Sequence, residues 1–77
     1  MSIEEFIEMI ETEFDDVVSG TISRESEFRA LDGWSSIMAL IVISRINKSC
    51  KVTITAQDLA ASKTINDLYN ITVSKLL

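Results

Sequence analysis

Residues 31–47 read LDGWSSIMALIVISRIN. The run Ile37–Ile43 is apolar without a break, and Ile46 follows one turn later. Serine is a favoured helix N-cap, because its oxygen accepts from the orphan N–H groups of the first turn. A helix is therefore expected to begin around Ser35–Ser36. Seven apolar residues are far too few to cross a bilayer. For two turns the helix is apolar nearly all the way round. That pattern fits a central helix packed on several sides, or a core helix whose spare face meets a partner.

Upstream, residues 19–35 hold Ser19, Gly20, Thr21, Ser23, Ser26, Asp32 and Gly33, all weak helix formers. They read as a long connection, which must be packed by its own apolar side chains. Ile22, Phe28, Leu31 and Trp34 are available for that. Before it, Ile3, Phe6, Ile7, Ile10, Phe14, Val17 and Val18 recur at helical spacing, with acids between them. Ser2 with Glu5 forms a capping box, so the first helix is expected from about Ile3, fading near Val18.

Downstream, Val52 and Ile54 form a short extended piece, too little for a sheet. Thr55 with Asp58 repeats the capping pattern before one or two helical turns through Ala61. Thr64 with Asp67 repeats it again, opening a last helix that carries Ile65, Leu68, Tyr69, Val73, Leu76 and Leu77. The core candidates are Ile43, Ile46, Ile54, Leu59, Ile65 and Leu68. The expected architecture is all-α, one domain over residues 1–77: three main helices, one short helix, and a long loop between helices 1 and 2.

The chain has 77 residues and a net charge of −5. Residues 1–32 carry ten acids and two bases, a formal −8; residues 33–77 carry two acids and five bases, a formal +3. An acidic half and five scattered bases do not make a nucleic-acid surface. Without histidine, Cys/His zinc sites, a Ser/His/Asp triad and a Cys/His dyad are excluded. Neighbouring acids such as Glu4/Glu5 and Asp15/Asp16 do not face one another on a helix, so they read as solvated charge. Cys50 has no base beside it and reads as a small core residue. No secretory signal opens the chain, and a lone cysteine suits a reducing, cytoplasmic setting. What stands out is Ser35-Ser36 at the head of an apolar helix. A hydroxyl there is held in place, reachable from solvent, and backed by N–H groups that favour a phosphodiester. Most serines in that position only cap, and the residues alone leave capping and attachment both open.

In these features the chain resembles an acyl carrier protein. That family marks its modified serine with Asp-Ser-Leu, in divergent members Trp-Asp-Ser-Leu, where this chain has Trp34-Ser35-Ser36-Ile37. The resemblance extends through the acidic first helix, the long loop, Val52-Thr53-Ile54 as an Ile-x-Ile-like element, and Thr64-Ile65-Asn66-Asp67-Leu68 opening the last helix. It implies an acyl-carrier-like bundle that is monomeric, cytoplasmic and non-enzymatic, with no membrane insertion. It implies 4′-phosphopantetheine attached at Ser36, or less favourably Ser35, by a phosphopantetheinyl transferase using coenzyme A and magnesium. Acyl groups would ride on the arm's thiol as thioesters, handed to acyl-activating or acyl-transfer enzymes of fatty acid, polyketide or a specialised synthesis. The Gly-Gly-x-Ser signature of peptidyl carriers is absent. A helical adaptor without the arm, or a peptidyl or aminoacyl carrier, is the alternative reading.

Two departures matter. Ser35 replaces the usual aspartate, and Ile37 the usual leucine. The second helix also lacks the usual acids: the matching positions are Met38, Ile41, Asn47 and Lys48, with Arg45 nearby. Trp34, Ile37, Met38, Ile41, Arg45 and Lys48 are the expected partner-binding residues. Since charge complementarity steers partner choice, the expected partner has an apolar or acidic docking surface.

Overall fold

The structure, a computed structural model, describes residues 1–14, 20–31 and 33–76. Among these residues there are four α-helices and no strand: α1 (Ile3–Glu11), α2 (Ser36–Cys50), α3 (Ala56–Ala61) and α4 (Ile65–Leu76). A short 3-10 turn, Phe28–Ala30, sits in the loop between α1 and α2.

Each helix starts on the predicted cap. Ser2 Oγ accepts from the Glu5 N–H at 3.2 Å, while Glu5 accepts from the Ser2 N–H at 3.0 Å. Thr55 and Asp58 exchange the same pair of bonds before α3. Before α4, Thr64 Oγ1 accepts from the Asp67 N–H, and Asp67 accepts from the N–H groups of Lys63 and Thr64. These bonds favour the charged carboxylates, so Glu5, Asp58 and Asp67 are held below the ordinary range. For Asp58 the main cause is Lys75, whose ammonium lies 2.8 Å away.

The first helix is shorter than its apolar pattern suggests, ending at Glu11 and not near Val18. Thr12 turns its hydroxyl back onto the Met9 carbonyl at 2.7 Å, and the chain then tightens into turns. Phe14 is buried beyond the helix end. Val17, Val18 and the Asp15/Asp16 pair lie outside the described residues, as do Asp32 and Leu77.

The core gathers Phe6, Met9 and Ile10 from α1, Val42 and Ile46 from α2, Leu59 from α3, and Ile65 and Leu68 from α4. Ile54 joins it from the extended segment, where its N–H donates to Asn47 Oδ1 at 2.7 Å. Ile43, an expected core residue, is only half-buried, because its side of α2 borders a cleft. Ile22 and Phe28 are buried under the loop, with Leu31 and Trp34 packed against them in part. The loop is also tied by its backbone. Ile65 and Asn66 donate N–H groups to the carbonyls of Ser26 and Arg24, so the loop satisfies orphan donors at the head of α4. Glu11 does the reverse service, accepting from the N–H groups of Gly20 and Ile22.

Candidate functional site

The loop enters α2 through a turn in which the Trp34 N–H donates to the Leu31 carbonyl at 3.1 Å. Gly33 lies in that turn with φ +88°, a left-handed value that favours glycine. Trp34 is half-buried. Its indole stacks on Phe14 at 6.2 Å and meets Phe28 edge-on at 5.4 Å between centroids. These two contacts anchor the start of α2 to the end of the α1 segment and to the 3-10 turn.

The two serines that follow have different occupations. Ser35 is the N-cap: its backbone is extended, and its Oγ accepts from the Met38 N–H at 3.2 Å. Ser36 is the first helical residue, exposed, and its hydroxyl makes no hydrogen bond among the described residues. Ser35 therefore does by a neutral oxygen what an aspartate would do at the same position. Serine and aspartate are comparable caps. The substitution keeps the helix start and removes one negative charge beside Ser36.

A cleft of about 540 Å³ opens beside these serines. Its walls include Ala39, Leu40 and Ile43 of α2, with Ala56, Leu59 and Ala60 of α3. Arg29 stands at its edge, donating from Nη2 to the Ser62 carbonyl at 3.0 Å. An exposed, unbonded hydroxyl at a helix start, backed by first-turn N–H groups, fits a phosphodiester in both room and polarity.

The other expected contact residues divide between inside and outside. Ile37 is 70% exposed and Ile41 38% exposed, whereas Met38 is partly buried against the core. Asn47 turns inward to hold Ile54. Lys48 is exposed. Arg45 is partly committed: its Nη1 pairs with Glu13 Oε1 at 2.9 Å, and its Nε donates to Ser49. Leu40, at 67% exposure, belongs to the same outer face and was not among the residues expected there. Its only signal in the sequence is the spacing Ile37, Leu40, Ile41. In an unbroken apolar run that spacing does not say which face is out. The role of Glu13 was equally invisible, since it reads as one more solvated acid. Cys50 is half-buried, and desolvation raises its thiol above the ordinary value.

No helix of the described residues is long and apolar enough to cross a membrane. No curated protein and no solved structure gives a significant match to the chain. The family model described as "Phosphopantetheine attachment site" matches residues 4–71, from α1 into α4. Members of that family carry a covalently attached 4′-phosphopantetheine, interact with modifying and acyl-handling enzymes, and are typically non-catalytic. The chain belongs to the phosphopantetheine-attachment family, in keeping with the acyl carrier proteins that its sequence resembles.

Proposed function

We propose that the chain is an acyl carrier whose phosphopantetheine is attached to Ser36. The observation that carries this reading is the division of labour between the serines. The Ser35 oxygen is occupied in capping α2, while the Ser36 hydroxyl is exposed and makes no hydrogen bond among the described residues. A transferase that approaches the head of α2 would find a hydroxyl able to attack the pantetheine-bearing phosphate of coenzyme A; the diphosphate bond breaks, 3′,5′-ADP leaves, and the serine proton passes to a base of the transferase. The bound group supplies a thiol on a flexible arm, and acyl chains are held on it as thioesters.

The chain's own residues then do three things. Gly33, Trp34 and the Ser35 cap hold Ser36 at a fixed place. The first-turn N–H groups favour the phosphodiester charge. The aliphatic cleft between α2 and α3 offers apolar walls to a chain tethered at its mouth. Fatty acid or polyketide synthesis, or a specialised pathway, suits this arrangement better than peptide synthesis, because the Gly-Gly-x-Ser signature of peptidyl carriers is missing. Acyl chemistry would belong to the partner enzymes.

The test is intact mass after incubation with coenzyme A, magnesium and a broad-range phosphopantetheinyl transferase. The expected result is one added phosphopantetheine, lost in Ser36→Ala and kept in Ser35→Ala. No gain with any transferase, and none on protein isolated from its own cells, would support an adaptor without the arm.

A further inference from the structure

We infer that the outer face of α2 docks a partner protein whose matching surface is an aliphatic socket edged by carboxylates. The inference rests on the carrier reading, which requires an enzyme to meet the chain beside Ser36. It names the chemistry of that enzyme's docking surface.

Ile37, Leu40 and Ile41 are 70%, 67% and 38% exposed, and their i, i+3, i+4 spacing places them on one stripe. A single exposed leucine is ordinary, but three large aliphatic side chains adjoining on one helix face form a patch. The patch borders a shallow hollow of about 420 Å³ that runs past Ser44 to Arg45 and Lys48. Across its 15 residues α2 contains these two bases and no acid. Arg45 is partly neutralised by Glu13 at 2.9 Å, while Lys48 is exposed and has no ion pair among the described residues. The N-terminal end of the helix adds partial positive charge beside Ile37. A partner with a basic docking surface would meet Lys48 like to like. One with carboxylates around an apolar centre would match both the charge and the patch.

A second copy of the chain is a poorer match. Its acidic face on α1 offers exposed Glu4, Glu5 and Glu8, but Phe6, Met9 and Ile10 of that helix are buried. That contact would lay carboxylates over Ile37 and Leu40 and offer these aliphatic side chains no apolar centre to enter, whatever pairing Lys48 could provide at the edge.

The experiment places a photo-cross-linking residue at position 40, with position 4 of α1 as control, in the full chain expressed in its own cells. The cross-linked protein is identified by mass spectrometry and purified, and its affinity for variants is measured by calorimetry. The expected result is a cross-link from position 40 and not from position 4. The identified partner binds Leu40→Asp and Lys48→Glu at least tenfold more weakly, and binds the unaltered chain less well as salt rises. Both sites are exposed, so both variants should keep the helical circular dichroism. Three results overturn the inference: a cross-link to a second copy only, no cross-link above the control, or a partner that binds Lys48→Glu as tightly or more tightly. Binding to anionic phospholipid vesicles that Leu40→Asp abolishes would overturn it too. Ser36→Ala is run alongside and should keep the cross-link, because it removes the attachment point and leaves the face intact. Failure of phosphopantetheine gain therefore refutes the carrier reading, and insensitivity to Lys48→Glu refutes the docking chemistry.

Discussion

Replacing each of the paired serines with alanine separates support from attachment. In Ser35→Ala the side-chain acceptor for the Met38 N–H disappears. The Ser35 carbonyl still accepts from the Ala39 N–H at 2.9 Å, so only one of the two bonds made by the cap is lost. The freed N–H lies at an exposed helix start, where water replaces part of the bond. The expected cost is therefore about 1 kcal/mol, in the middle of the range for N-cap serines. In a domain of this size that lowers the melting temperature by about 4–8 °C. Ser35→Asp keeps an acceptor and adds a negative charge at the positive end of α2, for an expected gain of about 0.3–1 kcal/mol. Ser36→Ala touches an exposed hydroxyl with no bond among the described residues, and should change stability by less than about 0.5 kcal/mol. Urea denaturation followed by circular dichroism measures all three, and intact mass after transferase treatment gives the second readout. Ser35→Ala should be destabilised and still modified; Ser36→Ala should be stable and unmodified. If Ser35→Ala is as stable as the parent, the cap does not hold the helix. If Ser36→Ala is still modified and Ser35→Ala is not, the roles of the two serines are the reverse of those argued here.

Phe28→Ala removes a buried ring that meets Trp34 edge-on. The expected loss of about 3–5 kcal/mol is close to the whole stability of so small a domain, so the variant should be largely unfolded, with the emission of its single tryptophan shifted to the red. The lowered carboxyls of Glu5, Asp58 and Asp67 contribute stability that is complete above their unfolded values near pH 4. That contribution is lost as pH falls through the lower folded values, so stability should be level from pH 7 to about 5 and decline below about 4; Asp67→Asn should show a shallower acid decline, and an unchanged slope would refute the capping role. Cys50, half-buried with its thiol raised by desolvation, should react slowly with thiol reagents at neutral pH, so attachment of the arm should add a second, faster thiol; a fast-reacting unmodified chain would contradict that burial.

Helix starts were legible in the sequence because a capping box needs only residues three apart. Ser2 with Glu5, Thr55 with Asp58 and Thr64 with Asp67 all appear where the spacing put them. The all-α class followed from the apolar period, whereas the residues alone left Ser35 and Ser36 both open and only the family resemblance favoured Ser36 for attachment. The end of α1 was not legible, because Ile10, Phe14 and Val17 continue a helical period past the point where Thr12 turns the chain. Which faces of α2 are covered was also out of reach. Val42 and Ile46 are buried while Ile37 and Leu40 are not, though all four are equally apolar. Periodicity is a property of one element, whereas burial depends on what packs against it. Only the tertiary structure brought Glu13 to Arg45, 32 residues away, leaving Lys48 as the exposed base of that face. Local spacing determined where the helices of this protein begin, and set the head of α2 at Ser35–Ser36 without dividing the roles of the two serines. Long-range packing decided which side of that helix is left exposed, because only the folded chain shows which surfaces its other parts cover.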